Sequence, residues 1–225
     1  MNQFLKKLSF AFVALSFAGF ASAAVEAPDA LVKRLSEEIL ATAKSDKQIQ
    51  AGSQTRIQQV VDEKIIPHVD FQRTTALAVG RSWRQATPEQ KTQLTDEFKK
   101  LLTFTYTGAI SQVTNQKFEY LPFRAAADDK DVVVNTRVVQ PRGEPVQLSY
   151  RLIKSDSGWK IYDINVLGAW LIESYKGSFA TEINKSGIDG LIASLKDRNA
   201  KLAANVAKSG GKAVTSPSKA EEIAK

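Results

Sequence analysis

The sequence predicts an α+β fold, in which several helices cover a curved antiparallel sheet of about four strands. Apolar residues recur at helical spacing from about residue 28 to residue 110, alternate with polar residues between residues 118 and 166, and return to helical spacing up to about residue 206. The turns between the alternating segments are short, which predicts antiparallel hairpins. Helices, then a meander, then helices are typical of an α+β domain.

The first residues have the pattern of a secretory signal. Lys6 and Lys7 precede an uncharged apolar run from Leu8 to Phe20, and Ala21-Ser22-Ala23 follows as a cleavage site. The run is shorter than the roughly 18 to 20 residues that a membrane-spanning helix needs. The chain contains no cysteine, which argues against a lipoprotein anchor or disulfides. We expect residues 1–23 to be cleaved, leaving a periplasmic protein with one domain at residues 24–207.

The charge of the chain is moderately positive. The formal net charge is +7, but the basic residues are scattered among acids and form no stripe with aromatic residues. This pattern argues against nucleic-acid binding. It predicts instead a weak attraction to anionic lipid head groups, and hence transient contact with a membrane.

The helices before the sheet are predicted from periodicity and end signals. Pro28 to Lys44 is amphipathic, Thr55 to Ile65 forms a second helix that Pro67 ends, and Phe71 to Val79 forms a third. Gly80 stands where a helix commonly ends with a glycine of positive φ. These three segments predict helices that cover the sheet.

The next helix has the clearest start in the chain. Thr87 is placed as N-cap, Pro88 occupies the first helical position, and Gln90 completes a capping box. In the second half, from Leu101 to Ile110, apolar side chains cover well over half of the circumference, whereas a surface helix needs only about a third. This half must therefore be surrounded by protein, or by protein on one side and a ligand on the other.

Four segments alternate with period 2 and predict the strands. They are Phe118–Tyr120, Val132–Val139, Val146–Lys154 and Trp159–Val166. The alternation is strictest in the third, where Val146, Leu148, Tyr150 and Leu152 share one face.

The stretch from Val166 to Phe179 is mostly apolar and runs from the last strand into a helix. It either closes an ordinary core or walls a space that a ligand fills. A final helix is predicted from about Leu191 to Val206, and residues 208–225 are predicted to form a flexible tail because they lack sustained apolar periodicity.

The inventory of catalytic groups is small. The chain has one histidine and no cysteine, so His68 and Asp70 have no further such residues to complete a tetrahedral metal site. Asp163 alternates with Trp159 and Ile161, which places a carboxylate on an apolar face. A small cone-shaped enzyme with Asp163 as general base is one reading of this pattern. The sequence predicts no metal and no cofactor.

Several stretches resemble the MlaC family, also called the toluene-tolerance family, of periplasmic phospholipid-binding proteins. They are IIPHVDF (Ile65–Phe71), GRSWRQATPEQKTQLTDEFKKLLTFTY (Gly80–Tyr106), GWKIYDINVLG (Gly158–Gly168), LIESYKGSF (Leu171–Phe179) and GIDGLIASL (Gly187–Leu195). The resemblance covers most of the chain after the predicted signal.

The resemblance implies a carrier rather than an enzyme, with a phospholipid as cargo. Such a carrier shuttles glycerophospholipids between an outer-membrane lipoprotein complex and an inner-membrane ABC transporter with an MCE-domain subunit, and so maintains outer-membrane lipid asymmetry. The sheet and helices then enclose an apolar pocket. We expect the lipid to contact Phe71, Leu102, Tyr106, Ile110, Val134, Val146, Leu148, Tyr150, Ile161, Val166, Ala169, Trp170, Leu171, Tyr175 and Phe179.

Two alternatives remain open from the sequence. The first is the enzyme with Asp163 as base, acting on a hydrophobic small molecule. The second is a periplasmic chaperone or adaptor whose apolar groove holds peptide.

Overall fold

The computed structural model describes residues 25–113, 115–126, 128–141, 143–214 and 216–224, so the predicted signal lies outside the described residues. The helices are α1 (Pro28–Ser45), α2 (Lys47–Gln50), α3 (Gln54–Lys64), α4 (Phe71–Val79), α5 (Pro88–Tyr106), α6 (Leu171–Lys208) and α7 (Pro217–Ala224). The strands are β1 (Lys117–Tyr120), β2 (Asp131–Val139), β3 (Val146–Ser155), β4 (Gly158–Val166) and β5 (Ala169–Trp170). Short 3₁₀ segments lie at Ile66–His68, Gly80–Arg84 and Thr107–Gln112.

The strands form one antiparallel sheet in the order β1-β2-β3-β4-β5, which confirms the predicted meander. Arg151 pairs with Asp163 and Leu152 with Ile161, so Tyr162 is an extra residue in β4. Such a bulge bends a strand and increases its twist. The two-residue strand β5 was not predicted, because so short a strand has no alternation to detect.

The α5 helix begins as predicted and ends earlier than predicted. Thr87 Oγ1 accepts a hydrogen bond from the Gln90 N–H at 3.2 Å, and Gln90 Oε1 accepts one from the Thr87 N–H at 3.0 Å. The α-helix ends at Tyr106 and continues as the 3₁₀ segment to Gln112. Alternate threonines before Gly108 weaken the α-helix here, since β-branched residues and glycine have low helix propensity.

The α6 helix joins the two helical segments that the sequence predicts after the sheet. Its axis is interrupted at Gly187, where φ is 71° and ψ is −174°. Glycine reaches this backbone conformation at little cost, whereas residues with a Cβ rarely adopt it. The second predicted helix therefore begins directly after Gly187 rather than near Leu191.

The buried apolar residues in the described part of the chain form three clusters. The largest joins α4, α5 and α6 around Phe98, whose ring meets Tyr175 and Phe179 edge-on at centroid distances of 5.0 and 4.9 Å. The second packs α1 against the sheet, and the third joins the end of α1 to α2 and α3. None of the helices in the described part of the chain is long and apolar enough to cross a membrane.

The chain after α6 differs from the flexible tail predicted for residues 208–225. Residues Ser209–Val214, here called the C-terminal strap, run back to the turn before α3, where the Ala213 N–H donates to the Gly52 carbonyl at 2.8 Å. Ala213 is buried in the third cluster and Val214 in the first. Two adjacent apolar residues give no periodicity, so the sequence does not reveal that their burial depends on distant partners.

The strap gives a prediction about stability. We expect deletion of residues 209–225 to lower the free energy of unfolding by about 2 kcal/mol more than deletion of residues 216–225, because burying a valine contributes about 1.5 to 3 kcal/mol and Ala213 adds to it. Urea unfolding followed by circular dichroism measures the difference. Equal free energies of unfolding for the two truncated chains would show that the strap does not stabilise the fold.

Candidate functional site

A cavity of about 600 Å³ lies between the sheet, α5 and the N-terminal helices. Its volume is within the range of about 300 to 1,000 Å³ that is usual for small-molecule sites. The lining is predominantly apolar and comes from every layer of the fold. It comprises Ile39, Leu40, Val61, Ile65, Ile66, Val69, Phe71, Thr74, Leu102, Thr103, Tyr106, Thr107, Ala109, Ile110, Gln112, Val113, Gln116, Phe118, Val138, Gln140, Val146, Leu148, Tyr150, Ile161, Tyr162, Asp163, Ile164, Val166 and Leu171.

One face of the sheet forms the floor of the cavity. Leu148 lies opposite Val166, and Tyr150 lies opposite Ile164, in the antiparallel register. These cavity-lining side chains of β3 are half-buried, whereas Leu152 farther along the same strand is fully buried in the α1 cluster. The same face is therefore core at one end, where α1 covers it, and cavity floor at the other.

The end of α5 and the 3₁₀ segment that follows form a second wall. Leu102 and Tyr106 line the cavity from α5, and Ala109 and Ile110 line it from the 3₁₀ segment. Residues four apart lie on the same face of an α-helix, which brings Leu102 and Tyr106 to one side. The wide apolar surface that the sequence predicts for Leu101–Ile110 thus borders the cavity in part.

The polar residues within the lining are largely engaged with the protein itself. The hydroxyl of Thr74 donates to the Tyr162 carbonyl at 2.7 Å, that of Thr103 to the Lys99 carbonyl at 2.9 Å, and that of Thr107 to the Thr103 carbonyl. A hydroxyl that is satisfied by the backbone does not require a polar ligand. These threonines therefore leave the interior of the cavity apolar.

The mouth of the cavity is marked by lining residues that are also exposed to solvent. Ala109, Gln112 and Val166 are exposed and line the cavity together with Gln140 and Gln116. Three glutamine amides therefore stand where the apolar interior meets water.

Asp163 is a buried structural group rather than an open base. Its carboxylate accepts hydrogen bonds from Arg151 Nη1 at 3.0 Å and from the N–H groups of Ile164 and Ile172 at 3.0 and 3.1 Å. Burial raises the pKa of Asp163, and the Ile172 N–H, Arg151 and the Ile164 N–H oppose that rise. The Arg151 guanidinium also stacks on the Trp170 ring, 3.7 Å from its centroid. Asp163 thus ties β3, β4 and the start of α6 together.

No group of three or more histidine, cysteine, aspartate or glutamate side chains within the described ranges is arranged to hold a metal ion. His68 lies outside the cavity, in the 3₁₀ segment before α4. Burial lowers the pKa of His68, and the nearby Arg34 and Lys160 lower it further.

The structure brings ten of the fifteen expected lipid-contact residues into the cavity lining, and whether each one touches lipid stays a prediction. The ten are Phe71, Leu102, Tyr106, Ile110, Val146, Leu148, Tyr150, Ile161, Val166 and Leu171.

The other five expected residues lie outside the lining of this cavity, and their contact with lipid stays a prediction as well. Tyr175 and Phe179 pack against Phe98, because their stripe of α6 faces α5. Val134 lies at the end of the sheet that α1 covers. The last two form β5, in which Ala169 is exposed and Trp170 stacks with Arg151.

The N-terminal helices contribute a wall that sequence reasoning missed. The adjacent pair Ile39 and Leu40 widens the apolar stripe of α1, and Ile65 and Ile66 form a second such pair after α3. An apolar stripe that is wider than packing against a single neighbour requires would have indicated this wall in the sequence. Val61 and Val69 complete this wall.

The chain is similar in sequence to a protein family and to two named proteins. The family model described as MlaC protein matches residues 33–197. The intermembrane phospholipid transport system binding protein MlaC of Haemophilus influenzae is 22% identical over 143 residues, which are 62% of this chain and 67% of that protein. The toluene tolerance protein Ttg2D of Pseudomonas putida is 24% identical over 167 residues, covering 74% of this chain and 77% of that protein.

A solved structure is similar in both fold and sequence. It is the phospholipid-binding protein from Ralstonia solanacearum in complex with a phospholipid, which is 52% identical with a TM-score of 0.74. The similarity covers 78% of this chain and 98% of that one. Since the family model spans well over half of the sequence, this protein belongs to the MlaC family.

Proposed function

We propose that this protein is a phospholipid-binding transport protein of an intermembrane phospholipid transport system. The observation that carries the proposal is the apolar cavity of about 600 Å³ between the sheet and the helices. It gains support from the fold, which is shared with a 52% identical protein that was solved with a phospholipid. Two related proteins carry names that refer to phospholipid transport and to toluene tolerance.

The physical need for a carrier follows from the cargo. Two acyl chains of about sixteen carbons hold roughly 30 methylenes, and at about 0.8 kcal/mol each they oppose transfer into water by some 24 kcal/mol. A free phospholipid therefore leaves a membrane too rarely to cross an aqueous space at a useful rate. A cavity lined by apolar side chains removes this barrier by keeping the tails out of water.

The charges around the cavity determine where the head group sits. No lysine or arginine is found among its described lining residues, and its one carboxylate, that of Asp163, is paired with Arg151. Burying an ionised phosphate without a partner is strongly unfavourable. The head group therefore stays at the mouth, near the amides of Gln112, Gln116 and Gln140, while the tails lie inside.

The partners and the compartment in this proposal follow from the resemblance to the MlaC family. The carrier collects and delivers phospholipid in the periplasm, between an outer-membrane lipoprotein complex and an inner-membrane ABC transporter with an MCE-domain subunit. The secretory pattern of residues 1–23 supports export. The three hydrogen bonds that hold Asp163 favour a structural role for this carboxylate over that of a general base, which supports a carrier rather than an enzyme.

Transfer between vesicles tests the function. We expect the purified protein to move a fluorescent phospholipid from donor to acceptor vesicles at a rate that rises with protein concentration. Organic extraction of the purified protein should also yield about one phospholipid per chain. A protein that is free of lipid, fails to transfer it and binds unfolded peptides instead would be a chaperone.

A further inference from the structure

The turn between β4 and β5 presents an apolar tip beside the mouth of the cavity. Leu167 is 70% exposed, and Val166 before it is 39% exposed although it also lines the cavity. Leu167 and Gly168 form the two-residue connection between Val166 in β4 and Ala169 in β5, which pair with each other across the turn. A leucine in open solvent at this place calls for a physical reason.

The backbone of the turn makes leucine an unfavourable choice. Leu167 has a φ of 53°, which makes it the one non-glycine residue with positive φ among those described, and Gly168 has a φ of 91°. Two-residue hairpin turns of type I′ have positive φ at both positions, and Asn-Gly is the usual sequence there. A leucine in this conformation is strained, and such strain is concentrated at functional positions.

Specific contacts hold the tip in a fixed position. Asn165 Oδ1 accepts a hydrogen bond from the Gly168 N–H at 2.9 Å, and the Leu167 N–H donates to the Gln147 carbonyl at 3.2 Å. Trp170, directly after the turn, stacks on Arg151. The exposed leucine is therefore displayed by an ordered hairpin.

Positive charge stands at the same end of the sheet. β1 starts there with Lys117, and the Lys44 ammonium donates to the carbonyl of the cavity-lining residue Gln116 at 3.4 Å. Neither lysine forms a salt bridge within the described part of the chain, whereas Arg137 is paired with Glu119. Glu144, in the loop before β3, is an acid at this end.

We propose that the Leu167 tip enters the surface of an anionic lipid bilayer when the cavity exchanges its cargo, an inference that rests on the proposed function. Leu148 in the floor pairs with the lining residue Val166, and the exposed Leu167 directly follows Val166. An acyl chain that leaves the cavity along this track stays against apolar groups. Lys44 and Lys117 lie at this end of the sheet and attract anionic head groups. An exposed leucine beside positive charges is the combination that binds the interface of an anionic bilayer, and we therefore take a bilayer as the occupant.

A single label tests the contact directly. The natural chain has no cysteine, so Leu167→Cys provides one site for an environment-sensitive fluorophore. We expect brighter, blue-shifted emission when vesicles of phosphatidylglycerol and phosphatidylethanolamine are added. The same label at Val133→Cys, on a strand position outside the cavity lining, should not respond. Equal responses at both positions, or none at either, would overturn the proposal.

A second variant separates the tip from the cavity. Leu167→Asn suits positive φ, so the fold should be retained, and we expect uptake of lipid from these vesicles to slow about five- to tenfold because part of a leucine side chain no longer leaves water. Co-purified lipid should be unchanged. Leu77→Asn, which replaces an exposed leucine on α4, is the matched control.

The outcomes distinguish this inference from the proposed function. If the parent protein holds and transfers lipid but Leu167→Asn transfers at the parental rate, the tip inference alone fails. If the parent neither holds nor transfers lipid, the proposed function fails and the tip inference fails with it. A third outcome would assign the tip to a protein partner and overturn the bilayer contact. In that case the emission of the label at Leu167→Cys does not change when vesicles are added, and Leu167→Asn impairs lipid transport only in cells.

Discussion

Leu148→Glu is expected to empty the cavity of phospholipid while the protein stays folded. Leu148 lies half-buried in the floor, opposite Val166. A carboxylate there is hydrated in the empty cavity and loses its water when an acyl chain enters, at a cost of several kcal/mol. Since about 1.4 kcal/mol is a factor of ten in affinity, lipid occupancy should fall by well over tenfold.

The matched control is Val133→Glu, which introduces the same charge at an exposed position of the neighbouring strand β2. Native mass spectrometry reports the lipid that each variant retains, and circular dichroism melting reports its folding. The control should keep the lipid of the parent protein. Full lipid occupancy in Leu148→Glu would exclude the cavity as the binding site, and unfolding of this variant alone would show that Leu148 belongs to a packed core.

Asp163→Ala is expected to destabilise the fold by about 3 to 5 kcal/mol. The substitution leaves the Arg151 guanidinium without its partner at 3.0 Å and leaves the N–H groups of Ile164 and Ile172 without an acceptor. Removing one member of a buried ion pair has a cost of this size. For a chain of this length the melting temperature should fall by roughly 10 °C.

Asp163→Asn provides a graded comparison, because its amide oxygen still accepts a backbone hydrogen bond while the charge is lost. We expect it to be more stable than Asp163→Ala and less stable than the parent, as measured by urea unfolding. An enzyme with Asp163 as general base would respond differently. Both variants would then also lose turnover of a hydrophobic substrate, a loss that a carrier cannot show.

The sheet and most helix starts could be predicted from local patterns. Val146, Leu148 and Tyr150 alternate with polar residues, a pattern that predicts a strand with one apolar face. The capping box that begins with Thr87 is complete within four residues. Such signals are local, so they survive without knowledge of the tertiary fold. The end of α5 is less clear in sequence, because a 3₁₀ segment and an α-helix share similar periodicity over one or two turns.

The site was only partly predictable, because sequence shows how wide an apolar surface is but not what it faces. Tyr175 and Phe179 form a stripe as apolar as any in the lining, yet Phe98 is their partner. Val134 and Leu148 lie on the same face of the sheet, and only the position of α1 separates core from cavity. The buried Val214 of the strap depends in the same way on a distant partner.

A crystal structure of the lipid-bound protein tests the central claim most directly. We expect both acyl chains to lie between the β3 floor, at Leu148 and Tyr150, and the wall formed by Leu102 and Tyr106, with the phosphate at the mouth near Gln112. Density for protein side chains throughout this space, with the lipid absent or bound elsewhere on the surface, would contradict the account.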